Sequence, residues 1–334
     1  MKKAVLASAV VAALVSGSSL AATVYSSDGT ELKIGGRAEF RGDFIGSGGE
    51  EIEGTMENKS RFRLNVGGTT EITSDLSGFG FYEAEQGVNS SADDDETTNF
   101  KQRYMYAGFS GDFGAVSVGR QDTAAVQISD MSDVTIYSGD QKAFINAGNE
   151  QINNTFVYAY DADAFTVKAS FIAGEEKDTD GYGVSGVYTL PMGLGFGLGY
   201  SSNDNGTGNG SASAVIAGIN YKMDALYLAA TYTTGDLDDK ANTEFSGVEV
   251  AAKYKFTKQF ELAALYQKLE EDVTENVTED TADFFELSGT YKFNKSIRAY
   301  LAYQFNNLDE VKDTTTGLLK EGEDSLRLGI RYDF

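Results

Sequence analysis

Residues 31–44 divide almost completely by parity, and that division limits what they can build. The even positions Leu32, Ile34, Gly36, Ala38, Phe40, Gly42 and Phe44 are uncharged, whereas Glu31, Lys33, Arg37, Glu39, Arg41 and Asp43 fill six of the seven odd ones. Successive side chains of a β-strand point to opposite sides, so this is a strand with one apolar and one highly charged face. The rule repeats at 60–72, with Phe62, Leu64, Val66 and Ile72 on one face and Arg61, Arg63, Asn65 and Glu71 on the other.

Sixteen such segments follow one another, from 31–44 and 60–72 through 245–256, 260–269, 284–293 and 296–305 to 324–334. Their connections alternate in length. Short ones include Gly111-Asp112, Pro191-Met192 and Asn294-Lys295, and long polar ones cover 45–59, 87–99, 121–153, 202–212, 234–244, 270–283 and 306–323. This layout predicts an all-β chain, a 16-stranded antiparallel transmembrane barrel with short turns at one end and long loops at the other. A soluble β-sandwich also alternates, but three features weigh against it. The charged face is too polar for a packed core. The apolar face is rich in Tyr and Phe near strand ends, as at Tyr254, Phe256, Tyr291, Phe293, Tyr303 and Phe305, which suits the aromatic girdles of a membrane barrel. The last strand, Leu326 to Phe334, is apolar at every even position and ends on Phe.

The N-terminus reads as a secretory signal: Met1-Lys2-Lys3, an apolar run from Ala4 to Val15, then small residues to Ala21. We expect cleavage before Ala22, leaving 22–334 as one barrel domain. The apolar run is shorter than the ~20 residues a helix needs to cross a bilayer, and no later run reaches that length. His 0 and Cys 0 exclude a Ser-His triad, a Cys nucleophile, imidazole or thiolate metal sites and disulfides. No cofactor, metal site or enzymatic activity is therefore expected. A net charge of −24 argues against nucleic acid as a partner.

Several segments resemble the trimeric general porins of Gram-negative outer membranes. They are Ala22 to Thr30, Arg63-Leu64-Asn65-Val66-Gly67-Gly68, Leu76-Ser77-Gly78-Phe79-Gly80, and Gly111 to Arg120. The resemblance implies a homotrimer among outer-membrane lipid and lipopolysaccharide, assembled by machinery that reads a terminal strand such as the one ending at Phe334. It also implies a third loop, here 121–153, folded into the lumen. Val126, Ile128, Met131, Val134, Ile136, Tyr137, Phe144 and Ile145 give that loop the apolar content it needs to pack on the inner wall. In the family, acids of this loop face basic residues across a narrow constriction. Carried over by segment, the basic side is Arg37, Arg63 and Arg103, with Arg61 beside them, and the acidic side is Asp130 and Asp133, with Asp122 a further candidate. The usual Pro-Glu-Phe-Gly-Gly tip is absent, and Gln151 stands near a position where another Arg is common, which predicts a less positive constriction.

The expected function is a water-filled channel for passive diffusion of small hydrophilic solutes and ions, preferring cations because the chain is acidic. A surface adhesin displaying acidic loops is the alternative of a different class. The acidic runs at 93–96 and 270–272 could attract divalent cations, but read more simply as solvated loops. Gly193, Gly195, Gly197 and Gly199 alternate with apolar residues and precede no helix, so they read as a strand with a small inner face rather than a phosphate loop.

Overall fold

The computed structural model describes residues 21–44, 56–88, 100–274, 277–308, 311–312, 319–320 and 322–334. Residues 1–20 of the expected signal segment 1–21, most of the loops 45–59 and 87–99, and much of 306–323 lie outside the described residues, and with them the acidic run 93–96.

Every sequence-predicted strand corresponds to an observed one. We number them β1 (Ala22–Ser27), β2 (Thr30–Asp43), β3 (Arg61–Thr73), β4 (Leu76–Gly87), β5 (Lys101–Gly111), β6 (Gly114–Gln121), β7 (Ile152–Asp161), β8 (Phe165–Ile172) and β9 (Gly181–Thr189). The second half comprises β10 (Leu194–Asp204), β11 (Ser211–Met223), β12 (Leu226–Asp238), β13 (Thr243–Lys255), β14 (Phe260–Thr274), β15 (Val277–Lys292), β16 (Ile297–Asn306) and β17 (Ser325–Asp333). From β2 to β17 each strand pairs antiparallel with the next, and β17 returns to β2. The sheet therefore closes.

The closing seam holds one element absent from the parity reading. β1 pairs with residues 30–34 of β2, and β17 pairs with residues 37–43 on the same edge, so β1 and β17 together make the sixteenth stave. Gly36 and Phe334 join them, exchanging both backbone hydrogen bonds at 3.0 and 3.1 Å. A bulge between Thr23 and Tyr25 leaves both Val24 and Tyr25 exposed, which erases the alternation that would have revealed β1.

A second difference lies at the loop ends. Residues 270–274 and 277–283 form a continued ladder in which β14 runs on to Thr274 and β15 begins at Val277. Beyond the membrane both strand faces meet water, so Glu270, Glu271 and Asp272 carry no apolar alternation although they are strand residues. Lys268 bridges Glu270 and Asp280 at 3.0 and 3.3 Å. Among the described residues no cluster of three or more acids is arranged to hold a metal ion.

The faces follow the predicted parity. Along β13, Val250 is exposed while Glu249 and Ala251 are buried, and along β15 Phe285 and Leu287 are exposed around the buried Glu286. A soluble protein would hide these apolar side chains; in a bilayer they face lipid. We predict that Val250→Arg, midway along its strand, destabilises the barrel by roughly 2–4 kcal/mol, measured by reversible denaturant unfolding in lipid vesicles.

Candidate functional site

The site begins with the segment 122–151, which leaves β6 and lies against the inner wall. Its one-turn helix α1 (Val126–Ser129) buries Val126 and Ile128. The wall there is made of glycine: a Cβ on Gly197 would stand 2.7 Å from Ile128 Cδ1, and one on Gly218 would stand 2.7 Å from Met131 Sδ. The alternating glycines of β10 thus form the small inner face that lets the loop approach. Further along, Phe144 stacks on Phe245 at 4.2 Å between ring centres, and the Arg327 guanidinium sits 4.3 Å over Tyr137.

Polar anchors continue round the barrel. Ala124 N–H donates to Ser170 Oγ at 3.0 Å, Ser132 and Thr231 hydroxyls pair at 2.7 Å, and Gly139 N–H donates to the buried Glu249 at 2.9 Å. The Glu286 carboxylate accepts three bonds, from Thr135 Oγ1 at 2.6 Å and from the backbone N–H groups of Ile136 and Tyr137 at 3.1 and 3.0 Å. A carboxylate cradling backbone donors is a strong, directional anchor.

Opposite the loop stands a wall of arginines. In the β2–β3–β4 register Arg37 faces Arg63, Glu39 faces Arg61, and Arg63 faces Glu85. Glutamates interleave the cations: Arg61 Nε donates to Glu39 at 2.6 Å, Arg63 Nε to Glu85 at 2.9 Å and Arg103 Nε to Glu83 at 2.9 Å. Arg37 is held more loosely, 3.8 Å from Glu85 and 3.9 Å from Glu39. Arg103 occupies a register shift between β4 and β5, where the chain carries one extra residue. That bulge brings Arg103 to the wall beside Tyr104 and could not be read from alternation.

Arg37, Arg61, Arg63, Arg103 and Asp133 line one common cavity of about 720 Å³. Asp133 spends its charge within the loop, binding Lys142 Nζ at 2.9 Å and accepting from Ser138 at 3.0 Å. Lys142 also lies 3.5 Å from Glu150. Burial alone would lower the Lys142 ammonium, but the Asp133 and Glu150 carboxylates outweigh it and raise it. The loop acid that approaches the arginine wall is Glu150, 4.0 Å from Arg103. Glu83, Glu85, Glu150 and Lys142 escaped the sequence reading, which puts Glu39 on the charged face without assigning it to the constriction. The three wall glutamates share the parity of the inward arginines, a usable signal; Glu150 and Lys142 are placed only by the loop's path.

Asp130 lines a neighbouring recess of about 300 Å³ rather than this cavity, together with Asp122, Tyr104 and Lys168. Asp122 serves the loop's base, accepting from Gln151 N–H at 3.1 Å and Tyr104 Oη at 3.2 Å; burial pushes its carboxyl up. Asp130 is exposed at the surface of this recess, with the recess walls close around its carboxyl. Loss of hydration there, with Asp122 and Asp133 adding to it against Lys142, pushes the Asp130 carboxyl up to about 7.

A raised acid ionises late, so Asp130 is neutral in acid and adds a negative charge to the recess as pH climbs. Single-channel conductance should therefore change between about pH 6 and 8 and lose that step in Asp130→Asn. Glu286→Ala strips three loop donors of their acceptor, at about 1–3 kcal/mol for each buried unpaired group. Faster protease cleavage within 134–143 and noisier open-channel current would report the loosened loop.

The fold and this interior match known proteins. A family model described as Gram-negative porin covers residues 7–310. Porin-like protein L of Photobacterium profundum is 33% identical and outer membrane protein U of Vibrio vulnificus 34%, each over all of both chains. Outer membrane porin F of Escherichia coli is 29% identical over the same extent. Among solved structures, Salmonella typhi OmpF in complex with daunomycin superposes with a TM-score of 0.79 at 21% identity, covering 94% of this chain and 100% of that one. The trimer form of Vibrio cholerae OmpT gives 0.70 at 17%, covering 92% and 100%. With a closed barrel, an apolar outer surface and a charged interior already established, these relatives show that the chain belongs to the Gram-negative porins, β-barrel channel proteins of the outer membrane.

Proposed function

We propose that the protein is a passive channel for small hydrophilic solutes and ions that prefers cations and performs no chemical step. The observation that carries this reading is the lumen itself, a cavity walled by charged side chains inside a barrel whose outer face is apolar. Arg37, Arg61, Arg63 and Arg103 form one side of its constriction, and Asp133 with Glu150 the other; Asp130 modulates it from the recess. The cation preference rests on the net charge of −24 and on the acidity of the long loops.

In the same reading, residues 1–21 are a signal peptide removed before Ala22. The mature barrel works as a homotrimer, a reading supported by the trimer form of one structural relative, Vibrio cholerae OmpT. It is folded by outer-membrane assembly machinery that recognises the strand ending in Phe334, and it sits in contact with lipopolysaccharide.

Planar-bilayer recording under a potassium chloride gradient tests this. We expect stepwise conductance with closures in threes and a cation-selective reversal potential. Because screening shortens from about 10 Å at 0.1 M to 3 Å at 1 M, a preference set by loop charge should shrink as salt rises. Folded protein that conducts nothing would end the channel reading; a preference unmoved by salt would end its assignment to the loops.

A further inference from the structure

Beside the arginine wall lies the recess of about 300 Å³ that holds Asp130. The packing of α1 decides which way that side chain turns. Ile128 and Met131 are buried against the glycines of β10 and β11, and Asp130 between them, its backbone N–H bound to Val126 O at 2.9 Å, faces the recess instead. Lys168 enters the same recess from β8, on the inner face it shares with the buried Ser170.

Among the described residues nine charged side chains line the recess, four cations and five carboxylates, so it is close to electroneutral. Most are spent on one another or on the chain. Glu83 holds Arg63 at 3.3 Å and Arg103 at 2.9 Å, and Lys142 holds Asp133 at 2.9 Å and Glu150 at 3.5 Å. Asp122 accepts from Gln151 N–H and from the Tyr104 hydroxyl. Asp130 and Lys168 remain. Neither side chain makes a hydrogen bond or ion pair among the described residues, although Lys168 stands near enough to act electrostatically on both Asp130 and Asp122.

A carboxylate and an ammonium that share a recess without touching offer one free charge of each sign. A simple metal cation or halide satisfies one of them and is repelled by the other. A molecule that carries its own ammonium and carboxylate satisfies both, the first donating to Asp130 and the second accepting from Lys168. Apolar surface completes the lining: Phe81, Tyr104, Tyr106 and Val157 border the recess, with the Phe81 ring centre 5.6 Å from that of Tyr106 and 6.2 Å from that of Tyr104. The volume lies at the lower end of ligand pockets, about 300–1,000 Å³, which suits one molecule of amino-acid size.

We propose that the recess binds a free α-amino acid with an apolar side chain, its ammonium on Asp130, its carboxylate on Lys168 and its side chain against Phe81 and the two tyrosines. This names a solute class for the channel and rests on the channel reading only for access through the lumen; binding itself is measured without conduction.

Three probes with the same ring separate the charges. Phenylalanine carries both, phenethylamine only the ammonium and 3-phenylpropanoate only the carboxylate. Titration calorimetry on the folded protein in detergent micelles, at a pH above the Asp130 value of about 7, should show phenylalanine binding at least about tenfold tighter than either, since a charge-assisted hydrogen bond contributes on that order. Lys168→Met should abolish the advantage over phenethylamine, and Asp130→Asn the advantage over 3-phenylpropanoate. Neither side chain has a partner to lose, so both variants should fold, as far-ultraviolet spectra and heat-modifiable gel migration check; either one tests the site if the other does not. Absence of phenylalanine binding, a single-charge probe that binds as tightly, or an advantage that a folded variant leaves intact overturns the proposal. Binding by a protein that conducts nothing in planar bilayers leaves the site standing and removes the channel reading, whereas conduction without binding does the reverse.

Discussion

Hydrocarbon offers a backbone no hydrogen-bond partner, so a membrane-crossing sheet must satisfy all its own N–H and C=O groups, and only closure does that. The rest of this structure depends on that constraint. It explains why the seam at β2 is completed by two pieces of chain from opposite ends, β1 and β17, joined through Gly36 and Phe334. A gap there would leave an open edge in lipid. Closure also divides every strand into a lipid face and a lumen face, which permits Glu249, Glu286 and the arginines to stand inside a molecule whose outside is Val, Leu, Phe and Tyr.

A ring of this size encloses water, and the segment 122–151 narrows it. The loop is held by two kinds of complementarity. Glycines of β10 and β11 make room for Ile128 and Met131, and inward Ser, Thr and Glu side chains receive the loop's backbone. Because Glu286 and Glu249 are consumed by this anchoring, they add little free charge to the lumen. Across from the loop, glutamates thread between the arginines, and the guanidiniums of Arg61, Arg63 and Arg103 are fixed by a neighbour on the adjacent strand. The lining of this cavity is therefore richer in cations than the acidic chain as a whole.

Much of this was legible from residues alone. Period-two patterning from Leu32 onward is a direct readout of strand faces, because burial or lipid exposure acts on each side chain by parity. The sequence by itself determined the sixteen staves, the apolar girdle, the loop with somewhere to pack, and the inward parity of Arg37, Arg61 and Arg63. It did not reveal β1, where a bulge breaks parity, nor the extension of β14 and β15 into water, where both faces are polar. Only the tertiary structure decided that Arg103 reaches the wall through a register shift, that Asp133 is bound by Lys142, that Glu150 comes nearest the arginines, and that Asp130 lies in the recess. Parity is local, set by two neighbouring peptide units, whereas which charges meet across a lumen depends on the closure of the whole ring and on the path of one loop through it.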